Sequence, residues 1–392
     1  MIGVDFVISI IVLTIIFFLF LFIILRYFKI QKDIIFCFFI TILTCLFFYD
    51  MNSSLESIKK GVQLCFSSIF PSIFSFSLIC NLLISFNGIE LYSKYLGNLL
   101  CRPFRVSFNC SFILIASFLC GYPLGAKYAT DAYKQNLISE KEYVRISSLA
   151  SNASPVFMLG VLGLSILGNI QYGYILIFSS LLSIFFISLI LPSPRGKNFN
   201  PFEKKIKATP KLGIALQTSI ENALKTTLLV CGYVITFSLI INILKNLTFI
   251  KDFFVIIENS FNLPASSLYG LFLGSIEVTN GCNLISQTNL SVHLKVSFMA
   301  FFCSFGGLSI IFQTSSFLLS NKISFLKYSV IKLVQGIIAF IIAFIASNLF
   351  INNIQTSITI ATVNPYKYIF FICFLLFLPL LFLMIKKLLK VL

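Results

Sequence analysis

Long apolar runs separated by short basic clusters occupy almost the whole of this chain, at residues 4–25, 34–49, 62–86, 106–122, 155–167, 172–191, 226–244, 263–277, 296–319, 328–350 and 366–385. A helix needs about 20 apolar residues to cross a hydrocarbon core roughly 30 Å thick. Only helices and closed barrels satisfy their backbone polar groups there, and these runs are too continuous for barrel strands. The fold class expected is therefore an all-α, polytopic integral membrane protein. Composition agrees, with 58% hydrophobic residues, 11% charged and a mean hydropathy of +0.99. Soluble domains are about 45–50% apolar and about 25% charged. Run 4–25 is too long for the core of a signal peptide, no basic residue precedes it, and Arg26, Lys29 and Lys32 follow it. It reads as a true span whose far end is cytoplasmic.

The net charge is +16. In a soluble protein that balance would point to nucleic acid. Here the lysines and arginines cluster between apolar runs, as they do at the cytoplasmic flanks of spans, so the expected partner is the lipid bilayer and not nucleic acid. Eleven cysteines fall mostly inside apolar segments, none forms a C-x-x-C pair, and His293 is the one histidine. No metal site and no cofactor are expected, and the cysteines read as small apolar residues. The chain carries no phosphate-binding glycine loop, no Ser/His/Asp set and no intramembrane-protease motif. No catalytic residue is expected, and the chain is not read as an enzyme.

Irregular backbone at membrane depth is tolerated only inside protein or along a wet cavity, so interrupted runs are informative. Run 106–122 ends in Gly121-Tyr122-Pro123, and run 263–277 ends in Gly274-Ser275-Ile276-Glu277. Run 155–167 is short and follows Ser151-Asn152-Ala153-Ser154, while run 296–319 carries Ser304-Phe305-Gly306-Gly307. Ser139 and Glu142 have capping-box spacing, which predicts a short amphipathic helix over 137–150. The halves flanking the basic segment 192–211 resemble each other, since residues 76–83 match residues 237–244 at six of eight positions. Gly121 and Gly274, Asn136-Leu137 and Asn289-Leu290, and the breaks at 151–155 and 303–307 then follow in the same order, about 150 residues apart.

The charge rule places segment 192–211 in the cytoplasm. That fails if every run crosses, and it holds if each half folds one hairpin back, expected at 151–167 and at 296–319. The second half is then inverted relative to the first, a transporter architecture in which exchanging two mirror-related arrangements gives alternating access. A plain bundle in which every run crosses is the competing reading. The expected organisation is two N-terminal helices over 1–50, a first repeat over 51–191, a basic cytoplasmic loop over 192–211, a second repeat over 212–352 and a C-terminal helix over 353–392. The N-terminus is expected outside and the C-terminus in the cytoplasm.

Glu277 is the sharpest candidate for chemistry, because an acid within an apolar segment is costly unless paired or wet. With Asn280 it forms a candidate binding group; the plainer alternative is a solvated helix cap at the membrane edge. Ser151, Asn152 and Ser154 would present polar groups at the first hairpin tip, or serve as a helix N-cap before Pro155. Ser304, Gly306 and Gly307 are their counterparts, with close helix packing as the alternative. Lys127 follows the turn containing Gly121, Pro123 and Gly125 and serves as a gate residue or as a snorkelling lysine. The spacings Gly121/Gly125 and Gly270/Gly274 suit helix packing. His293 and Lys225 read as interfacial.

The segment Gly121-Tyr122-Pro123-Leu124-Gly125-Ala126-Lys127, then a charged helix, then Ser151-Asn152-Ala153-Ser154-Pro155-Val156-Phe157 resembles the signature of the YlbJ-type sporulation integral membrane proteins. Cys120 stands where that family usually has serine. The Gly274–Gly281 stretch is similar to the family's second-half counterpart, less specifically. The resemblance spans roughly residues 50–350. It implies a nucleoside-recognition (Gate) domain, related to concentrative nucleoside transporters and to the membrane part of ferrous-iron transporters, so that the two repeats would be Gate-like. It also implies a role in endospore formation in a Gram-positive bacterium. It supplies no substrate. The function expected is transport of a small polar, nucleoside-like solute across the developing spore's membrane, and the alternative is a scaffold or assembly factor without transport. Partners expected on the first reading are the solute, a coupling ion (H+ or Na+) with Glu277 as its carboxylate, and further copies of the chain.

Overall fold

The computed structural model describes residues 32–193 and 210–350. The spans expected at 4–25 and 366–385 and most of the basic segment lie outside the described residues. Among the described residues every regular element is helical, as the apolar runs require.

Helix α1 (Lys32–Tyr49) is apolar around its circumference and largely exposed, as a lipid-facing helix is. The chain then bends by 102° into α2 (Met51–Leu64), whose first turn is capped by Asp50 accepting from the Ser53 amide at 3.2 Å. A π-helical turn, Cys65–Ile69, joins α2 to α3 (Phe70–Ser85) without interruption. After α4 (Gly88–Cys101) come α5 (Ser111–Cys120), α6 (Leu124–Lys134), α7 (Glu140–Leu149), a π-helical segment (Phe157–Ile166) and α8 (Ile170–Ile190).

The second half runs through the same succession. Helix α9 (Leu212–Asn246) has 35 residues and corresponds to the joined α2 and α3. Its length of about 52 Å exceeds a roughly 30 Å hydrocarbon core. Next follow α10 (Thr248–Ser260), α11 (Ser267–Ile276), α12 (Val278–Gln287), α13 (Val292–Phe305), α14 (Gly307–Ser315) and α15 (Phe325–Phe350). Corresponding long helices pack on one another, α3 on α9 and α8 on α15.

The structure corrects where each half folds back. Helices of 10 residues, such as α5, α11 and α12, are about 15 Å long, half of a bilayer core. A Cβ on Gly281 would lie 2.0 Å from the Gly274 Cα, although the two residues are seven apart. In a continuous helix seven residues span about 10 Å. The chain therefore reverses at Glu277, and α11 and α12 lie side by side. In the first half a Cβ on Gly125 would lie 2.9 Å from the Ser117 Cβ, so α5 and α6 reverse at residues 121–123. By contrast, Val292–Ser315 runs as one 24-residue span through its break. There Gly306 sits at φ +88° and Gly307 at φ +65°, values that suit glycine. The expected hairpin at 296–319 is thus a broken helix, and the second half folds back one element earlier, at Glu277.

The predicted capping box at Ser139 and Glu142 is present. From there Arg145, 2% exposed, donates to the carbonyls of Phe104 (2.9 Å), Leu191 (2.7 Å), Pro192 (3.0 Å) and Ser188. One guanidinium so fastens α7 to the C-terminus of α8, where a cation complements the helix dipole. Arg145→Ala is expected to lower stability by about 2–4 kcal/mol, since charged hydrogen bonds are worth about 1.5–3 kcal/mol each and water recovers part of the loss. Thermal unfolding in detergent checks this, and an unchanged Tm would contradict it. Glu258, also buried, accepts from the amides of Ser266 (2.7 Å), Leu268 (2.8 Å) and Tyr269 (3.2 Å), capping α11 from the end of α10.

Candidate functional site

In each half the hairpin tip rests against a helix break. The Tyr122 amide donates to the Asn152 carbonyl at 2.8 Å, and a Cβ on Gly121 would meet the Ser154 amide at 2.8 Å. In the second half Gly307 faces the carbonyls of Gly274 and Ile276. The structure therefore brings together Gly121, Tyr122 and Pro123 with Ser151, Asn152 and Ser154, and separately Gly274 and Glu277 with Gly306 and Gly307. The two groups meet through apolar packing, with Tyr122, Phe157 and Ala153 against Val278, Cys282 and Cys303.

Helix α15 adds a side chain that sequence reasoning missed. Lys332 is 1% exposed and donates to the Ser151 carbonyl, to Gln335 Oε1 at 2.7 Å and to Asn152 Oδ1 at 3.3 Å. Gln335 Nε2 donates to Asn152 Oδ1 at 2.7 Å and to Ser183 Oγ at 3.3 Å, and the Tyr328 hydroxyl to Ser151 Oγ at 2.7 Å. Asn152 Nδ2 in turn donates to the Leu149 carbonyl at 2.7 Å. The acceptors cluster where α7 ends, and a helix C-terminus presents partial negative charge. A lysine amine with three donors is thus met by three neutral oxygens, and among the described residues no carboxylate lies within 4 Å of it.

The signal for this group was present in the sequence. Tyr328, Lys332, Gln335, Ala339 and Ala343 recur at spacings of four, three, four and four, one buried stripe of a helix. An internal lysine in an apolar run carries the same implication as Glu277.

The other expected residues sit as follows. Ser154 Oγ accepts from the Phe157 amide at 3.3 Å just before Pro155, the N-cap expected of it. Glu277 is half-buried and caps α12, accepting from the amides of Thr279 and Asn280 at 2.9 Å each and from Asn280 Nδ2 at 2.7 Å. Lys245 reaches Asn280 Oδ1 at 2.6 Å, completing a chain from cation through amide to carboxylate. No hydrogen bond among the described residues joins Glu277 or Asn280 to Lys332. Ser304 is fully buried and its hydroxyl has no partner, and neither has the buried Tyr122 hydroxyl. Lys127 pairs with Asp131 at 3.3 Å and lies 3.5 Å from Asn81 Oδ1. Gly125 packs against the end of α7, where a Cβ would come within 1.8 Å of the Ala150 carbonyl oxygen.

What the arrangement offers chemically is an interior polar node in an apolar bundle, built from the first interrupted helix, α8 and the Lys332 face of α15. Among the described residues no group of His, Cys, Asp and Glu is placed to hold a metal ion.

The chain is 26% identical over 342 residues to the sporulation integral membrane protein YlbJ of Bacillus subtilis (strain 168), a match that covers 81% of this chain and 82% of the relative. No family model matches the chain. No solved structure matches it either. The match takes in four-fifths of both chains, far beyond the Gly121–Lys127 and Ser151–Phe157 motifs, and the likeness of this integral membrane protein is to the YlbJ-type sporulation proteins.

Proposed function

We propose that the protein is an inverted-repeat transporter of a small polar solute, serving endospore formation. The observation that carries this reading is the pair of helical hairpins whose tips meet broken helices, the first of them beside a buried lysine. Contacts between element ends support opposite orientation of the two halves. Glu140 pairs with Lys322 at 2.6 Å, a hydrogen bond that raises the Lys322 pKa above the ordinary lysine value, and Arg145 holds Pro192. These ends belong on one side, together with Arg102, Arg105, Lys134 and Lys141. Asn246 donates to Asp50 Oδ2 at 2.9 Å, which gathers the end of α9 and the start of α2 on a second side of balanced charge. The basic side is cytoplasmic by the charge rule. The first hairpin then enters from the cytoplasm and the second from outside, as inverted repeats at 51–191 and 212–352 require.

Interrupted helices near the midplane expose unpaired backbone groups that bind solute or ion in such proteins. The Tyr122 and Ser304 hydroxyls, buried without partners, are the solute contacts on this reading. Lys332 fills the cage of carbonyl and amide oxygens that a sodium ion would need, which favours H+ over Na+ as the coupling ion. Counterflow of labelled nucleosides and other small polar solutes into proteoliposomes tests transport. Accumulation of at least one solute is expected, and none across the panel would count against it. Maleimide labelling of Gln135→Cys from the cytoplasmic side and Asn262→Cys from outside tests the orientation; both reacting from one side would refute inversion.

One observation favours the scaffold reading. All three acceptors of Lys332 come from the protein itself, so the node is also suited to locking the two halves together.

A further inference from the structure

A cleft of about 540 Å³ opens between the return leg of the first hairpin, the end of α3 and the first turns of α9. Its volume falls in the range of about 300–1,000 Å³ typical of small-molecule sites. The lining is polar on three helix faces. Lys127, Thr130 and Lys134 come from α6, Asn81 from α3, and Asn222 and Lys225 from α9. Ser219 also lines it, and its hydroxyl, on a residue 1% exposed, has no hydrogen-bond partner. The single acid of the lining, Asp131, is already paired with Lys127 at 3.3 Å. Lys134 and Lys225 have no carboxylate within 4 Å among the described residues.

We propose that this cleft binds a phosphomonoester group. Two unpaired ammonium groups match the charge of about −1.5 to −2 that such a group carries at neutral pH. Amide and hydroxyl donors from Asn222 and Ser219 supply hydrogen bonds that its terminal oxygens accept, and lysine serves phosphate as a point charge. The apolar portion of the cleft, at Ile84, Leu229 and Phe317, leaves room for an organic body beyond the phosphate. The bound group belongs either to a free small molecule or to a lipid headgroup at the membrane surface, where the long α9 leaves the hydrocarbon core. The cleft does not depend on the transport reading, because a protein that moves nothing can bind the same anion.

The test uses the full-length chain. Binding of labelled inorganic phosphate is measured on protein purified in an uncharged detergent. Separately, Thr218→Cys is labelled with maleimide in vesicles of phosphatidylcholine with and without phosphatidic acid. Phosphate binding in detergent assigns the site to a free solute, and protection of the cysteine by phosphatidic acid alone assigns it to a headgroup. Either result supports the shared chemistry. Lys134→Gln and Lys225→Gln, both at exposed lysines, are each expected to weaken binding about tenfold, the loss of one charged hydrogen bond. Lys251→Gln, outside the cleft, should change nothing. Absence of both phosphate binding and lipid protection would overturn the proposal. So would a Lys134→Gln, Lys225→Gln double variant that binds as the unaltered chain does.

Discussion

Replacing Lys332 with methionine is expected, on the transport reading proposed above, to abolish solute movement in proteoliposomes while the protein still folds into the membrane. The lysine is the one charged group at the meeting point of the first broken helix and α15, and its loss removes donors from Ser151, Asn152 and Gln335. Asn152 keeps the Gln335 amide as a donor, so the node is depleted and not emptied. Methionine refills the volume, and replacing a buried charge by an apolar residue of similar size is often tolerated. Orphaned acceptors cost about 1–3 kcal/mol each in a dry interior, although hydrogen bonds inside membranes are often worth only about 0.6 kcal/mol. A net loss of about 1–3 kcal/mol is therefore expected, small enough to leave the fold. Tyr328→Phe removes only one donor, to Ser151 Oγ, and should reduce uptake far less. If Lys332→Met carried solute as the unaltered chain does, the node would be a structural lock and the scaffold reading would gain.

The second large effect concerns the hairpins. Gly125→Val and Gly281→Val should each prevent accumulation of folded protein. At Gly125 the first added carbon would lie 1.8 Å from the Ala150 carbonyl oxygen, and at Gly281 it would lie 2.0 Å from the Gly274 Cα. Overpacking that side chains can relieve costs about 1–3 kcal/mol. Here the obstacles are backbone atoms of a facing segment, so the cost should exceed about 4 kcal/mol, the class reserved for severe defects. Gly232→Ala is the control, because no atom lies within 4 Å of its added carbon. It should be neutral or stabilising by up to about 1 kcal/mol. Yield of monodisperse protein and its Tm decide the matter, and a Gly281→Val protein that melts normally would show that α11 and α12 are not packed side by side.

Much of the architecture is legible from local pattern alone. Apolar length identifies α8, α9 and α15, because bilayer thickness sets the length of a span whatever its neighbours. The capping box at Ser139 and the breaks at 151–154 and Gly306 are likewise local, written in residues that favour those conformations. The charge rule asks for one fold-back per half. Its location did not emerge, because a run that turns back halfway and a run that crosses have the same composition. What separates them is whether Gly125 and Gly281 approach Ser117 and Gly274, eight and seven residues earlier in the chain, a contact between elements.

The site divides along the same line. Ser151 and Asn152 stand out in sequence as polar residues beside a proline, and Glu277 as an acid in an apolar run. Their roles depend on partners: Glu277 meets the amides of its own helix, while Ser151 and Asn152 meet Lys332, about 180 residues distant. Helix periodicity and hydropathy act through neighbours along the chain and so can be read from it. The pairing of a lysine in the last described helix with a break in the first half is fixed by packing of the two halves, because only there does burial leave the amine those oxygens as acceptors.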